Sequence, residues 1–217
     1  MLYREVGQFK TTYAADMAVF PIRQDRIGIL VMIAFAAVGI PLVANDFVLT
    51  SIMIPGLIFT LAAIGLNILT GYAGQISLGT GAFMGVGAYA AYKLANAFPE
   101  VNILVWIVTS GVFSALIGVV FGLPSLRIKG LYLAVTTLAA QFFLEWCFVR
   151  IGWLTDYSSS GAIEAVRRTF LGIPITGPEA EPLTRYFAVL ALVILFTVIT
   201  SNLVHGRIGR TWMMVRD

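Results

Sequence analysis

Residues 71–89 read GYAGQISLGTGAFMGVGAY and contain six glycines and no charged side chain. Glycine-rich loops often bind phosphate, but a dinucleotide fingerprint needs G-x-G-x-x-G, and Met84 stands where the third glycine after Gly79 and Gly81 would be. A P-loop needs Gly-Lys-Ser/Thr, and the first lysine beyond the segment is Lys93. Because both nucleotide-binding motifs fail, the glycines require another explanation.

Composition places this segment in a lipid bilayer. Apolar residues make up 59% of the chain, charged residues 12%, and the mean hydropathy is +0.91. Soluble domains average about 45–50% apolar and about 25% charged residues. A surface this apolar is typical of an integral membrane protein.

Motifs for catalysis and metal binding are missing from the sequence. There is no G-x-S-x-G or H-E-x-x-H, and Cys147 and His205 are the only residues of their types. The few acids are too scattered for a catalytic carboxylate pair, and no basic surface for nucleic acid is evident. We therefore expect no catalytic residue, no metal site and no cofactor.

The hydrophobic blocks predict an all-α, polytopic membrane protein, because about 20 apolar residues are needed to cross the hydrocarbon as a helix. Residues 1–26 form a polar N-terminal segment, residues 150–185 a polar connection, and residues 205–217 a basic end. Between them lie six predicted spans: 27–43, 47–69, 76–97, 102–123, 131–149 and 186–204.

The distribution of lysine and arginine predicts the orientation. With the N-terminus in the cytoplasm, Asp46 and Glu100 fall outside, whereas Arg127 and Lys129 fall inside. Residues 150–185 then form an external loop, and residues 205–217 lie in the cytoplasm. An even number of spans, six, places both ends of the chain in the cytoplasm, and the lysine and arginine bias favours the same orientation.

Two interpretations of the glycine-rich segment remain open. Ser77, Gly81 and Gly85 recur every four residues, which favours close helix packing in a membrane. The segment also suits a broken helix beside a transport path, because irregular backbone survives at membrane depth only within protein or along a polar cavity. Such a path would be lined by neutral polar side chains, for which the candidates are Asn67, Thr70, Gln75, Ser77 and Thr80.

Glu145 is the one acid in the span 131–149. Thr137, Gln141 and Glu145 share one helix face at four-residue spacing, and an ionisable group inside a span is a functional candidate. Gln141 and Glu145 therefore join the candidate substrate pathway. Equally, Glu145 could lie near the outer end of its helix and extend toward water or Arg150.

Four segments resemble the permease subunits of ABC importers for branched-chain amino acids, and specifically the M-type subunit. They are GLNILTGYAGQISLGTGAFMGVGAYAAY (65–92), LRIKGLYLAVTTLAA (126–140), WLTDYSSSGAI (153–163) and GRIGRTWMMVRD (206–217). The resemblance implies ATP-driven import of small apolar amino acids through the inner membrane of a bacterium. Such permeases usually continue beyond this length, so we expect the chain to be the N-terminal part of a larger subunit.

The resemblance also implies an assembly. The expected partners are a second permease subunit, two cytoplasmic ATP-binding subunits and an external substrate-binding protein. Residues 207–217 mix arginines with large apolar side chains and are expected to dock an ATP-binding subunit, which would then hydrolyse ATP in place of this chain. The candidate docking side chains are Arg207, Arg210, Trp212, Met213 and Arg216.

Alternative functions remain at this point. A permease of the same family could carry urea, a short amide or a sugar, because a neutral polar lining would pass those solutes equally well. A self-contained, ion-coupled transporter would need ionisable groups at mid-membrane, and only Glu145 favours it.

Overall fold

A computed structural model describes residues 23–125, 132–158, 163, 165, 167–170, 173–177 and 180–216. Residues 1–22 of the predicted N-terminal segment 1–26 lie outside these residues, as do Arg127 and Lys129. The described chain forms seven helices and one hairpin. They are α1 (23–43), α2 (Asp46–Tyr72), α3 (Thr80–Ala97), α4 (Ile103–Ser125), α5 (Tyr132–Arg150), β1 (Arg168–Phe170), β2 (Ile173–Thr176), α6 (Pro182–His205) and α7 (Arg207–Arg216).

Within the described residues, five helices are long and apolar enough to cross a membrane, which confirms the helical membrane class. They are Gln24–Val43, Asp46–Tyr72, Ile103–Leu123, Tyr132–Arg150 and Pro182–His205. The remaining predicted span, 76–97, is also helical but begins four residues late, at Thr80. This helix of 18 residues is not among the five, because its glycines and Lys93 lower its hydropathy.

Proline positions explain why α1 and α2 are not uniform α-helices. α1 widens into a π-helical turn at Phe35–Gly39, and α2 does so at Leu49–Met53; Pro41 and Pro55 follow directly in the first turn of the next α-helical part. A proline lacks the N–H for the regular ladder and crowds the carbonyl four residues earlier. A local π-turn accommodates both defects.

The helices form two groups. In the first, α1, α2 and α6 pack around Leu49, Tyr186 and Leu190, and the Tyr186 hydroxyl donates a hydrogen bond of 2.7 Å to the Ala36 carbonyl. In the second group, α3 packs against both α4 and α5. α2 contacts α3, so a boundary between the two groups runs beside the glycine-rich segment.

The loop after α5 is tied to the end of α3. Asp156 accepts hydrogen bonds from the Tyr92 hydroxyl, at 2.6 Å, and from the Lys93 ammonium. Farther along, β1 pairs antiparallel with β2, and the Arg168 guanidinium donates to the carbonyl oxygens of Ala95 and Pro99. The predicted polar connection therefore contains a short hairpin that the sequence analysis did not predict.

Candidate functional site

The glycine-rich segment is a break between two helices. α2 ends in a π-helical turn at Ile68–Tyr72, and residues 73–79 are irregular before α3 begins at Thr80. Gly74 has a φ of +66°, a left-handed conformation that glycine adopts without a Cβ clash. The chain can therefore turn sharply here and re-enter the helix bundle.

The N-terminus of α3 lies near the middle of its neighbouring helices. Ser114, at the centre of Ile103–Ser125, donates a hydrogen bond of 2.7 Å to the Phe83 carbonyl. Gln141, at the centre of Tyr132–Arg150, accepts one of 2.9 Å from the Ala82 amide. Since Ala82 and Phe83 belong to the first turn of α3, this helix begins level with the centres of α4 and α5.

α5 holds the irregular segment in place through two side chains one turn apart. The Thr137 hydroxyl oxygen accepts a hydrogen bond of 2.9 Å from the Leu78 amide, and Gln141 accepts from Ala82 as described. Thr137 is 4% exposed, and both bonds are partly buried. Together they satisfy amides at the start of α3 that have no partner within the helix.

A cavity of about 570 Å³ lies beside this break. Its wall is mostly aliphatic, and its polar side chains are all neutral. The lining residues are Ala62, Gly65, Leu66, Leu69, Gln75, Ser77, Thr80, Phe83, Met84, Ser114, Ala115, Gly118, Val119, Gly122, Leu123, Leu133 and Thr137. The cavity is thus bounded by α2, the irregular segment, α3, α4 and α5.

Comparison with known proteins identifies the family. The profile of the family described as branched-chain amino acid transport system / permease component matches residues 48–217. The chain belongs to this permease family. The match agrees with the resemblance found in the sequence and confirms it.

Two curated relatives of the permease carry the name high-affinity branched-chain amino acid transport system permease protein LivM. The one from Salmonella typhimurium is 28% identical over 184 residues, covering 74% of this chain and 42% of the relative. The one from Escherichia coli is 27% identical over the same length and coverage. The chain therefore spans about two fifths of the length of these relatives. No solved structure matches it.

The structure divides the predicted pathway residues of the permease into two sets. Gln75, Ser77 and Thr80 line the cavity. Asn67 and Thr70 are exposed outside it, and the Thr70 hydroxyl donates to the Leu66 carbonyl of its own helix. Gln141 and Glu145 also lie outside the lining, on α5.

Two polar lining residues, Ser114 and Thr137, are absent from the predicted pathway. The sequence places Thr137 only on the helix face that it shares with Gln141 and Glu145. Ser114 is a lone hydroxyl in a long apolar span, a pattern that by itself does not distinguish a lining residue from one that bonds its own helix. Their positions depend on how α4 and α5 pack.

Two glycines of α3 face α5. A Cβ at Gly85 would lie 2.7 Å from the Phe148 ring, and one at Gly81 would lie 3.2 Å from the Gln141 amide nitrogen. The third residue of the predicted packing set, Ser77, is buried in the irregular segment. Of Gly79, Gly81 and Gly85, the tightest approach to α5 is at Gly79, where a Cβ would lie 2.6 Å from the Thr137 carbonyl oxygen.

The predicted docking segment forms the amphipathic helix α7, which packs against α6 and the π-turn that ends α2. Arg207 and Arg210 are exposed, and Arg216 ends the helix. Trp212 and Met213 are partly buried, whereas Met214 is 77% exposed. The packing of α7 therefore covers part of the Trp212 and Met213 side chains and leaves Met214 accessible.

Proposed function

We propose that this permease is a membrane subunit of an ATP-driven importer that moves branched-chain amino acids into the cytoplasm. The observation that supports it best is the cavity beside the break. Its aliphatic wall, which includes Leu66, Leu69 and Leu133, suits an aliphatic side chain. The hydroxyl groups of Ser77 and Thr80 can bind polar groups of the substrate at the same time.

A cavity that binds its solute weakly is consistent with a transport pathway. None of the lining residues is charged, so the cavity offers no fixed counter-charge to the ammonium or carboxylate of an amino acid. The positive end of the α3 helix dipole, at Thr80, would favour the carboxylate modestly. Because a transported solute must also leave, a loosely binding lining with selection in an external binding protein fits an importer.

The same lining favours an amino acid over urea. Urea has no aliphatic group to place against leucines and valines, so those contacts would add nothing to its binding. A branched side chain would bury apolar surface there. The wall therefore supports the amino-acid assignment over the alternative that the sequence leaves open.

The proposed assembly comprises a second permease subunit, two cytoplasmic ATP-binding subunits and an external binding protein, in the inner membrane of a bacterium. ATP hydrolysis belongs to the ATP-binding subunits. With both ends of the chain in the cytoplasm, α7 would face them. Met214 and Ile208, both more than half exposed, with Arg207 and Arg210 then provide a mixed apolar and basic docking surface.

The experiment uses two glycines of α4 in the full-length protein within its complete importer. A Cβ at either Gly118 or Gly111 meets nothing within 4 Å, so leucine fits at both places, but only Gly118 lines the cavity. Gly118→Leu should reduce uptake of labelled leucine about tenfold or more by occupying the cavity. Gly111→Leu should leave uptake within about twofold of the parent.

Competition with unlabelled compounds in the uptake assay identifies the transported solute. Unlabelled isoleucine and valine should compete with leucine uptake, and urea should not. Equal uptake by the two glycine variants would refute the cavity as the path. Leucine uptake that survives deletion of the subunit, with urea uptake lost, would refute the substrate assignment.

A further inference from the structure

The loop that follows α5 contains a strained turn. Asp156 and Tyr157 have φ angles of +49° and +62°, a left-handed conformation that side chains other than glycine adopt with strain. The Ser158 amide donates a hydrogen bond of 3.0 Å to the Thr155 carbonyl, so these two residues are the centre of a tight turn. A turn with positive φ at both central positions usually has glycine at the second, where this chain has Tyr157.

A buried hydroxyl group adds a second cost to the same turn. The Thr155 side chain is 1% exposed, and its hydroxyl oxygen has no hydrogen-bond partner among the described residues. A buried hydroxyl without a partner destabilises the conformation that buries it. Strain and burial both favour another conformation of the turn, so contacts with a different element must hold it in this one.

Those contacts come from the end of α3. Asp156 accepts hydrogen bonds from the Tyr92 hydroxyl, at 2.6 Å, and from the Lys93 ammonium, with which it forms an ion pair. The Lys93 ammonium also lies 5.1 Å from the centre of the Trp153 ring, a favourable cation–π position. The segment 153–157, here called the strap, is therefore held against α3 by one cation and one hydroxyl group.

The strap also fastens α3 to α5. The Ile151 amide donates to the Cys147 carbonyl, at 2.9 Å, so the loop continues directly from the last turn of α5. Closer to the break, the Phe148 ring covers Gly85 and its centre lies 4.6 Å from that of the Tyr89 ring. The two helices thus meet along a seam that Phe148 fills and the strap closes at its end.

The seam between α3 and α5 runs from the strap to the cavity. Both helices contribute to the cavity wall, α3 through Met84 and α5 through Thr137. Lys93 is nine residues beyond Met84, or about 14 Å along the helix axis. A helix of 18 residues moves nearly as a rigid body, so release of the Lys93 end lets α3 tilt away from α5 and opens the seam toward the cavity.

We propose that the strap is a latch on the transport path, in which the Lys93–Asp156 ion pair holds the strained turn against α3 and keeps the seam closed. Breaking the pair releases the turn and the seam together in each transport cycle. Because the strain of the turn favours the released state, loss of one ion pair is enough to change the balance. This inference rests on the proposed function, since it assigns a gate to the cavity described there.

Cysteine accessibility measures the position of the strap. In the full-length importer with its native cysteines replaced by alanine, Thr155→Cys places a thiol at the buried position, and Tyr157→Cys is the control, since Tyr157 is 84% exposed. In membrane fragments, a maleimide should label Thr155→Cys about tenfold or more slowly than Tyr157→Cys. Adding Lys93→Met, which removes the charge, should speed labelling of Thr155→Cys roughly 3- to 10-fold. Lys93→Arg, which keeps the charge, should leave the rate within about twofold of the parent.

Relief of the strain should act in the opposite direction. Tyr157→Gly supplies the residue that a left-handed position favours, and it removes little packing because Tyr157 is exposed. Labelling of Thr155→Cys should therefore slow about threefold or more. A misfolded variant would expose the thiol, so damage to the fold cannot produce the slower rate.

A reversible lock tests whether the strap opens during transport. Cysteines replace Lys93 and Asp156, whose side chains are in contact, and a short, reducible bis-thiosulfonate joins them in cells that contain the complete importer. Uptake of labelled leucine should fall about tenfold or more and return when the link is reduced. The same reagent should leave uptake unchanged in a control that carries serine at both positions.

Three results would overturn the proposal. One is equal labelling of Thr155→Cys and Tyr157→Cys, which would mean that the strap does not rest on α3. Another is a labelling rate that Lys93→Met leaves unchanged or that Tyr157→Gly raises. The third is uptake that continues while the strap is locked. An importer that carried urea would still give the labelling results, and the lock would then block uptake of urea in place of leucine.

Discussion

Gly79→Ala is the smallest change that should disturb the start of α3. A Cβ at this position would lie 2.6 Å from the Thr137 carbonyl oxygen and 3.1 Å from the Phe83 ring. The ring can rotate aside, but the carbonyl belongs to the backbone of α5 and cannot. An ordinary contact begins near 3.4 Å, so the irregular segment and α5 must separate by about 0.8 Å.

The magnitude follows from what the separation costs. Forcing one extra methyl into a packed site costs about 1–3 kcal/mol. The shift also strains the bonds from the Leu78 amide to Thr137 and from the Ala82 amide to Gln141, both 2.9 Å long, each with a net contribution of about 1 kcal/mol. We therefore expect a loss of about 2–4 kcal/mol in the free energy of unfolding.

Thermal unfolding of the full-length subunit in detergent, followed by size-exclusion chromatography, measures the effect. The expected decrease in the apparent melting temperature is roughly 5–15 °C. The matched control is Gly65→Ala on α2, where a Cβ meets nothing within 4 Å and alanine is the better helix former. A Gly79→Ala protein as stable as the Gly65→Ala protein would show that α5 does not hold the segment as closely as described.

Two further predictions concern contacts of α5 and of the loop that follows it. Thr137→Val keeps the shape of the side chain but leaves the Leu78 amide without its acceptor, so the free energy of unfolding should fall by about 1–3 kcal/mol. The control, Thr136→Val, loses only a bond to its own helix and should lower the free energy of unfolding far less in the same thermal assay. The Lys93 ammonium, and after it the Tyr92 hydroxyl, hold the pKa of the Asp156 carboxyl below its usual value. Because the folded-state pKa is the lower one, this stabilisation is complete above about pH 4 and is lost as the pH falls through the folded-state pKa. The melting temperature of the parent should therefore exceed that of Asp156→Asn at pH 6, and the difference should shrink toward pH 3; a difference that stayed constant would contradict the contact.

The membrane class and most helix positions could be predicted because they depend on composition along the chain. A span such as Ile103–Leu123 is a continuous apolar block, and no tertiary contact is needed to recognise it. The break at residues 73–79 was also predictable, since clustered glycines weaken a helix wherever they occur. Its exact end at Thr80 was not, because that end depends on acceptors supplied by α5.

The lining of the cavity could be predicted only in part for the same reason. Gln75, Ser77 and Thr80 belong to the break itself, so local sequence points to them. Ser114 and Thr137 reach the cavity from other helices, and most of the wall is made of leucine, valine, alanine and glycine, which look the same whether they face a cavity or lipid. Which of these faces is inward is decided by helix packing, and a single sequence does not show it.

α5 links the cavity wall to the start of α3. Thr137 forms part of the cavity wall, Gln141 caps the start of α3, and Glu145 bonds Gln141 from the exposed face; the three lie on successive turns of one helix. Because an α-helix moves nearly as a rigid body, a shift of α5 would move the Thr137 wall and the beginning of α3 together. Thr137→Val should therefore lower the melting temperature more than Glu145→Leu, which leaves in place both bonds that hold the break.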